Sequence, residues 1–158
     1  LLNAWKHVVD KHSDWNLTIY GSGERTPYIN LAKDLGIESN CCLKASVSNI
    51  ISKYQESSML VFSSRFEGFG MVLLEAMSCG VPCVSFACPC GPKDIVTDGV
   101  NGYLVEPGNV EALAERICYL IEHEELRKEM GKAARKRAED FREEKIMQQW
   151  VDLFENIT

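Results

Sequence analysis

Two glutamates eight residues apart, Glu67 and Glu75, bracket a glycine-containing turn in the segment SSRFEGFGMVLLEAM, residues 63–77. The apolar run MLVFS (59–63) precedes the turn and reads as a buried strand, and helical spacing follows from Gly70. At such a junction the first helical amides lack intrahelical acceptors, and the helix dipole favours negative charge. Gly68 and Gly70 let backbone come close to a ligand. Together these features suit a phosphate or diphosphate. If all of 67–75 were helical, the two carboxylates would stand about 12 Å apart along the axis. A glycosidase carboxylate pair needs about 5–5.5 Å or about 6.5–9.5 Å, so that chemistry is excluded. The spacing instead suits one elongated ligand held at two points, with phosphates on the helix tip between them. Glu75 sits among Leu73, Leu74, Ala76 and Met77, where a bare carboxylate is expensive. An exposed position or a structural hydrogen bond would accommodate it; a ligand contact is the expectation adopted.

Other candidate motifs carry less. Gly21-Ser22-Gly23 follows a strand-like run, but position 26 is Thr, so the third glycine of a dinucleotide fingerprint is absent. That G-x-G is equally a plain tight turn. Cys88-Pro89-Cys90-Gly91-Pro92 lacks C-x-x-C spacing and reads as a rigid loop. Seven cysteines (41, 42, 79, 83, 88, 90, 118) are an odd number, and several lie in apolar runs as small hydrophobes. The histidines at 7, 12 and 123 are not spaced with them as zinc ligands, so no metal site and reduced thiols are expected.

The elements that must position these residues alternate. Leu1, Leu2, Trp5, Val8 and Val9 recur at helical spacing from the first residue, which suggests a fragment of something longer. Strands are expected at 16–20, 41–44, 59–63, 82–86 and 103–105. Helices are expected from Thr26, as N-cap with Pro27 behind it, to about Leu35, and at 49–56, 70–79 and 92–97. Five strands separated by helices predict a doubly wound parallel sheet, whose ligands sit beyond the carboxyl ends of the strands. Charge then rises: 18 of the first 105 residues are charged, against 22 of the last 53. This tail reads as amphipathic helices at about 109–122, 124–139 and 143–156, and the basic run 132–137 reads as a solvated face.

The length of 158 residues fits one domain, 1–158, with 106–158 as its helical C-terminal part. A net charge of −6 argues against nucleic acid as a partner. No apolar run approaches the ~18–20 residues that span a bilayer, and no signal peptide is visible.

The chain resembles glycosyltransferase family 4, and within it the C-terminal, donor-binding domain of these two-domain GT-B enzymes. The E-x7-E element, Glu67 to Glu75 inside SSRFEGFGMVLLEAMSCGVPCVSF, carries most of the likeness. IYGSGE (19–24), YQESSMLVFSS (54–64) and DGVNGYLVEPGNVEALAERI (98–117) support it, in order and at matching spacings. The resemblance implies a Rossmann-like sheet whose first strand precedes this chain, and an acceptor-binding N-terminal domain that is absent here. It implies a retaining transferase that moves a sugar from a nucleoside diphosphate sugar to an acceptor. Glu67 would lie beside the donor sugar as the catalytic carboxylate. Gly68, Phe69, Gly70, Met71 and Val72 would meet the diphosphate, and Glu75 would receive the ribose hydroxyls. Lys44, Ala45 and Ser46 would lie near the base, and Gly21, Ser22 and Gly23 would line the cleft floor.

No D-x-D occurs in the chain, which agrees with protein rather than metal holding the diphosphate, and no cofactor is expected. Two departures stand out. The Arg and Lys that relatives bring to the phosphates lie in a segment before the opening helix, and Ser63 replaces the usual Pro. The fragment alone is therefore expected to bind donor weakly without turnover. The subfamily flavour points to UDP-sugars and to a glycan or lipid-linked acceptor in surface polysaccharide synthesis, in the cytoplasm at the inner face of the membrane. Peripheral membrane association belongs to the intact enzyme in this reading. The alternatives are a noncatalytic nucleotide-sugar-binding module and a GT-B nucleotide-sugar epimerase.

Overall fold

A computed structural model describes residues 1–157, so the final residue of the helical tail lies outside the described residues. The apolar runs form five short parallel strands. These are β1 (Leu17–Tyr20), β2 (Cys41–Lys44), β3 (Leu60–Phe62), β4 (Cys83–Phe86) and β5 (Gly102–Val105). Helices α1 (Leu2–Val9), α2 (Thr26–Asp34), α3 (Ile50–Gln55), α4 (Met71–Ser78) and α5 (Pro92–Ile95) alternate with them. The tail supplies α6 (Val110–Glu122), α7 (Glu124–Ala138), a 3-10 turn (Glu139–Phe141) and α8 (Glu143–Glu155). The architecture is α/β and Rossmann-like, as the alternation predicts.

Strand β4 shows why the sheet needs helices on both sides. All four of its residues are buried, and successive side chains must point to opposite faces. Val84 and Phe86 pack in a core with Trp5 and Val8 of α1 and Leu113 and Ile117 of α6. Cys83 lies in a second core with Leu73 and Met77 of α4, Ile95 and Ala134. Burial pushes the Cys83 thiol up to about 12, so it behaves as a small apolar filler. All seven cysteines are free.

Local signals set several boundaries. Asn49 caps α3 by accepting from the Ser52 amide at 3.3 Å, and Asn109 caps α6 by accepting from Ala112 at 2.9 Å. Thr26 is not the N-cap expected of it. It already belongs to α2, Arg25 holds the cap position, and the Glu24 carboxylate accepts from the Thr26 amide at 2.8 Å. The amides a cap at Thr26 would take, those of Tyr28 and Ile29, both bond the Arg25 carbonyl at 3.0 Å, so the helix begins one residue earlier.

The larger difference is in the sheet. β1 pairs with β2, and β3, β4 and β5 pair in that order, but β1 and β3 do not pair with each other. The parallel strands thus fall into two parts whose edges β1 and β3 border a groove. For the same reason β3 is half-buried, where its sequence predicts a buried strand. One edge of it borders open space.

Helix α7 meets the turn after α4 through a contact only glycine permits. A Cβ on Gly131 would sit 2.2 Å from the Gly80 carbonyl oxygen. In a helix interior, Gly131→Ala should gain about 1 kcal/mol from propensity. The clash with backbone is expected to outweigh this and lower stability by about 1–3 kcal/mol net. Urea unfolding should show a lower midpoint at an unchanged slope; a more stable variant would mean that α7 does not pack this closely.

Candidate functional site

The turn between β3 and α4 is built by backbone. Parallel pairing of Leu60 with Cys83 sets the carboxyl ends of β3 and β4 side by side, so the loops that follow leave from one edge. Gly70 adopts the left-handed conformation, with φ 88° and ψ 49°, and starts α4 at Met71. Residues 67–70 are therefore not helical, and the helical spacing applied to the two glutamates does not describe them. Leu73 and Met77, both fully buried, fix the helix to its core, while Met71 and Val72 remain exposed at its tip. Amides in this first turn have no acceptor within the helix.

The second loop presses on the first. A Cβ on Gly91 would fall 1.7 Å from the Phe69 carbonyl oxygen, and Gly91 has φ 82°. Only glycine satisfies both constraints. The Phe69 ring meets Phe141 edge-on, with centroids 5.9 Å apart. Arg137 stacks on Phe141 at 4.7 Å and donates to the carbonyls of Asp94 at 2.6 Å and Ile95 at 3.3 Å. The end of α7 thereby clamps α5 and the glycine loop together.

The groove between β1 and β3 has a volume of about 720 Å³ and extends to α4. Lys44, Val72 and Glu75 line it, together with Tyr20 and Tyr54. Glu75 is half-buried, and its Oε2 accepts a hydrogen bond from the Tyr54 hydroxyl at 3.0 Å. Burial first, and then the bond to Glu75, raise the Tyr54 phenol well above its ordinary range, which keeps it a donor. Lys44 places its ammonium 6.0 Å from the centre of the Tyr20 ring.

The other candidates are placed around this groove rather than on its walls. Glu67 is half-buried. It lies close enough to fully buried Cys88 that its charge, after burial, helps to push that thiol up. Gly68 is exposed and Phe69 packs as described. Gly21 donates its amide to the Lys44 carbonyl at 3.1 Å, joining the ends of β1 and β2. Ser22, Gly23, Ala45 and Ser46 are exposed beyond those ends. Sequence reasoning missed two participants. Tyr54 falls in the 49–56 helix and in the motif YQESSMLVFSS with no role of its own, and Gly91 falls in a rigid loop. Among the described residues, no cluster of three or more His, Cys, Asp or Glu side chains could hold a metal ion.

Residues 1–137 match the family described as glycosyl transferases group 1. The chain belongs to this family. It is 37% identical over 151 residues to an uncharacterised glycosyltransferase of Haemophilus influenzae, covering 95% of this chain and 43% of that protein. It is 33% identical to the poly(glycerol-phosphate) alpha-glucosyltransferase of Bacillus subtilis, covering 95% of this chain and 22% of the relative. A solved structure of a variant of S. aureus TarM, in complex with fondaparinux, alpha-GlcNAc-glycerol and UDP, superimposes with a TM-score of 0.90. It is 31% identical and covers 97% of this chain and 31% of TarM. The chain thus spans less than half the length of each of these relatives.

In this group 1 glycosyltransferase domain, the helix tip follows the carboxyl end of β3, where open α/β sheets bind ligands, and the groove runs along β1 and β3 from Trp15 and Ser57 to Lys44 and Glu75. Gly91→Ala must displace either its own loop or Phe69, with strain of about 1–3 kcal/mol. Exchange of the hydrogen-bonded amides of residues 73–78 in α4 is expected to accelerate about tenfold, read by hydrogen exchange and mass spectrometry. Unchanged protection there would show that the two loops are not in contact.

Proposed function

We propose that the chain is the donor-binding half of a retaining, family 4 glycosyltransferase. It would hold a UDP-sugar for transfer to a glycan or lipid-linked acceptor in surface polysaccharide synthesis. The observation that carries this reading is Glu75, whose side chain lines a groove running up to the exposed first turn of α4. An acceptor carboxylate beside a ring of amide donors suits a ligand with hydroxyls at one end and phosphates next to them. The UDP bound to the TarM variant and the glucosyltransferase name of the B. subtilis relative support the same chemistry.

In the reaction, the bond from the anomeric carbon to the diphosphate oxygen breaks and its electron pair leaves with the diphosphate. The acceptor hydroxyl oxygen bonds to that carbon on the face the diphosphate left, and its proton passes to the departing diphosphate oxygen. Negative charge grows on the leaving group and positive charge on the sugar ring. Amides of Phe69, Gly70, Met71 and Val72, fixed before the reaction, would stabilise the first without reorganising. Glu67 would orient the sugar hydroxyls and tolerate the second, and Gly68 would admit the donor close to the backbone. Glu75 would accept from the ribose hydroxyls. Lys44, Ala45 and Ser46 would lie near the base, with Gly21, Ser22 and Gly23 on the cleft floor. No metal ion or other cofactor enters this reading.

The rest of the enzyme would complete the site. A parallel strand supplied by the segment before α1 would fill the length of the groove between the unpaired edges of β1 and β3 and join the two sheets, leaving for the ligand the end bordered by Lys44, Val72 and Glu75, and its following loop would bring basic side chains to the phosphates. The exposed face of α8, with Trp150 at 50% and Phe154 at 62% accessibility, would return to the acceptor domain. Among the described residues no helix is long and apolar enough to cross a membrane. A cytoplasmic enzyme working at the inner membrane face fits this proposal, and the isolated chain would bind donor weakly and not turn over.

Incubating the intact enzyme with a panel of nucleotide sugars and following nucleotide release tests the reading. Release with transfer to an acceptor is expected, UDP-sugars giving the fastest rates. Free sugar or an epimer without transfer would favour an epimerase, and binding without any release would favour a noncatalytic module. Glu75→Ala should weaken donor binding by about 1.5–3 kcal/mol, roughly 10–100-fold in Kd by calorimetry. Glu67→Ala should lower kcat by more than it raises KM, and a wild-type rate would remove its catalytic role.

A further inference from the structure

Glu75 projects from α4 on three rotatable bonds, and a carboxylate that must receive two adjacent hydroxyls needs a fixed direction. The side chain that can fix it comes from a different element. Tyr54 lies on α3, is 8% exposed, and packs in the same core as Leu73 and Met77 of α4. Its ring is held by that core, so its hydroxyl is a fixed point from which the 3.0 Å bond reaches Glu75 Oε2. Both residues line the groove.

We propose that Tyr54 is a positioning residue for nucleotide recognition. It anchors Glu75 Oε2 so that the second carboxylate oxygen and the remaining lone pairs stay directed into the groove, toward the ribose hydroxyls of a nucleoside diphosphate. The inference rests on the reading of Glu75 as the ribose-binding carboxylate. It adds that the selectivity of that carboxylate for a hydroxyl-bearing sugar depends on a residue that does not itself need to touch the nucleotide.

Tyr54→Phe removes one oxygen and leaves the packed ring. The test compares Kd values of the intact enzyme for UDP and for 2′,3′-dideoxy-UDP, which lacks the hydroxyls that Glu75 would bind. Tyr54→Phe is expected to weaken UDP about tenfold, the loss of roughly one directed hydrogen bond, while changing dideoxy-UDP by less than twofold. In a Glu75→Ala background, Tyr54→Phe should add no further loss for either nucleotide. Equal weakening of both nucleotides by Tyr54→Phe would assign Tyr54 to general packing and overturn the proposal. So would an unchanged UDP affinity. If Glu75→Ala itself fails to distinguish UDP from dideoxy-UDP, the ribose reading falls, and this inference with it. If Glu75→Ala distinguishes them and Tyr54→Phe does not, only this inference falls. Failure of the unmutated enzyme to bind UDP overturns both.

Discussion

The contact between Gly91 and the Phe69 carbonyl is the constraint on which the site turns. Two neighbouring parallel strands release their loops at the same edge, and the space between those loops admits backbone against backbone but not one additional carbon. Gly70 then turns the chain through a left-handed residue into α4, whose buried Leu73 and Met77 hold the helix against movement. Strain of this kind persists only where surrounding packing over-determines it. Here the second core supplies that packing, and the result is a helix tip with exposed amides whose direction is set before any ligand arrives.

Much of the fold was legible because its signals are local. Apolar runs separated by amphipathic segments identify strands and helices, and asparagines at 49 and 109 mark helix starts by the side-chain geometry of the residue alone. Pairing between strands is a different kind of information. A run such as LVF states that a strand is buried on its faces, not which edges find a partner. The split between β1 and β3 is therefore invisible in composition and periodicity, and it accounts for the half-buried state of both strands bordering the groove. The displaced start at Thr26 has a related cause, since Glu24, which accepts from the Thr26 amide, lies outside the helix in a position that cap rules do not weigh.

The candidate site divides along the same line. Glu75 could be singled out from its neighbours, because an acid between Leu74 and Ala76 demands a reason. A structural hydrogen bond and a place on the groove wall turn out to be compatible. One oxygen takes a structural hydrogen bond from Tyr54, and the side chain still lines the groove. Tyr54 itself could not be singled out, since a tyrosine at an apolar helix position looks like core and is core. Its hydroxyl acquires meaning only through a residue 21 positions away. Glu67, by contrast, is conspicuous in the motif yet does not line the groove, and its charge is felt by the Cys88 thiol, so the two glutamates of one motif occupy different surroundings.

The helical tail, which reads in sequence as a charged appendix, is physically continuous with this arrangement. Its outer faces carry the local ion pairs expected of a solvated helix, Lys128 with Glu124 and Lys132 with Glu129 among them, and such exposed pairs contribute little to stability. Its inner contacts are of another type. Arg137 satisfies two carbonyls at the end of α5 and stacks on Phe141, and Phe141 closes on Phe69, one residue before the left-handed glycine. The guanidinium does this with a planar fork that a lysine lacks. Because the 3-10 turn bearing Phe141 leads directly into α8, the exposed apolar surface of that last helix is joined to the loop that sets the helix tip. Whatever holds α8 in place also bears on the geometry of the amides that would meet a phosphate.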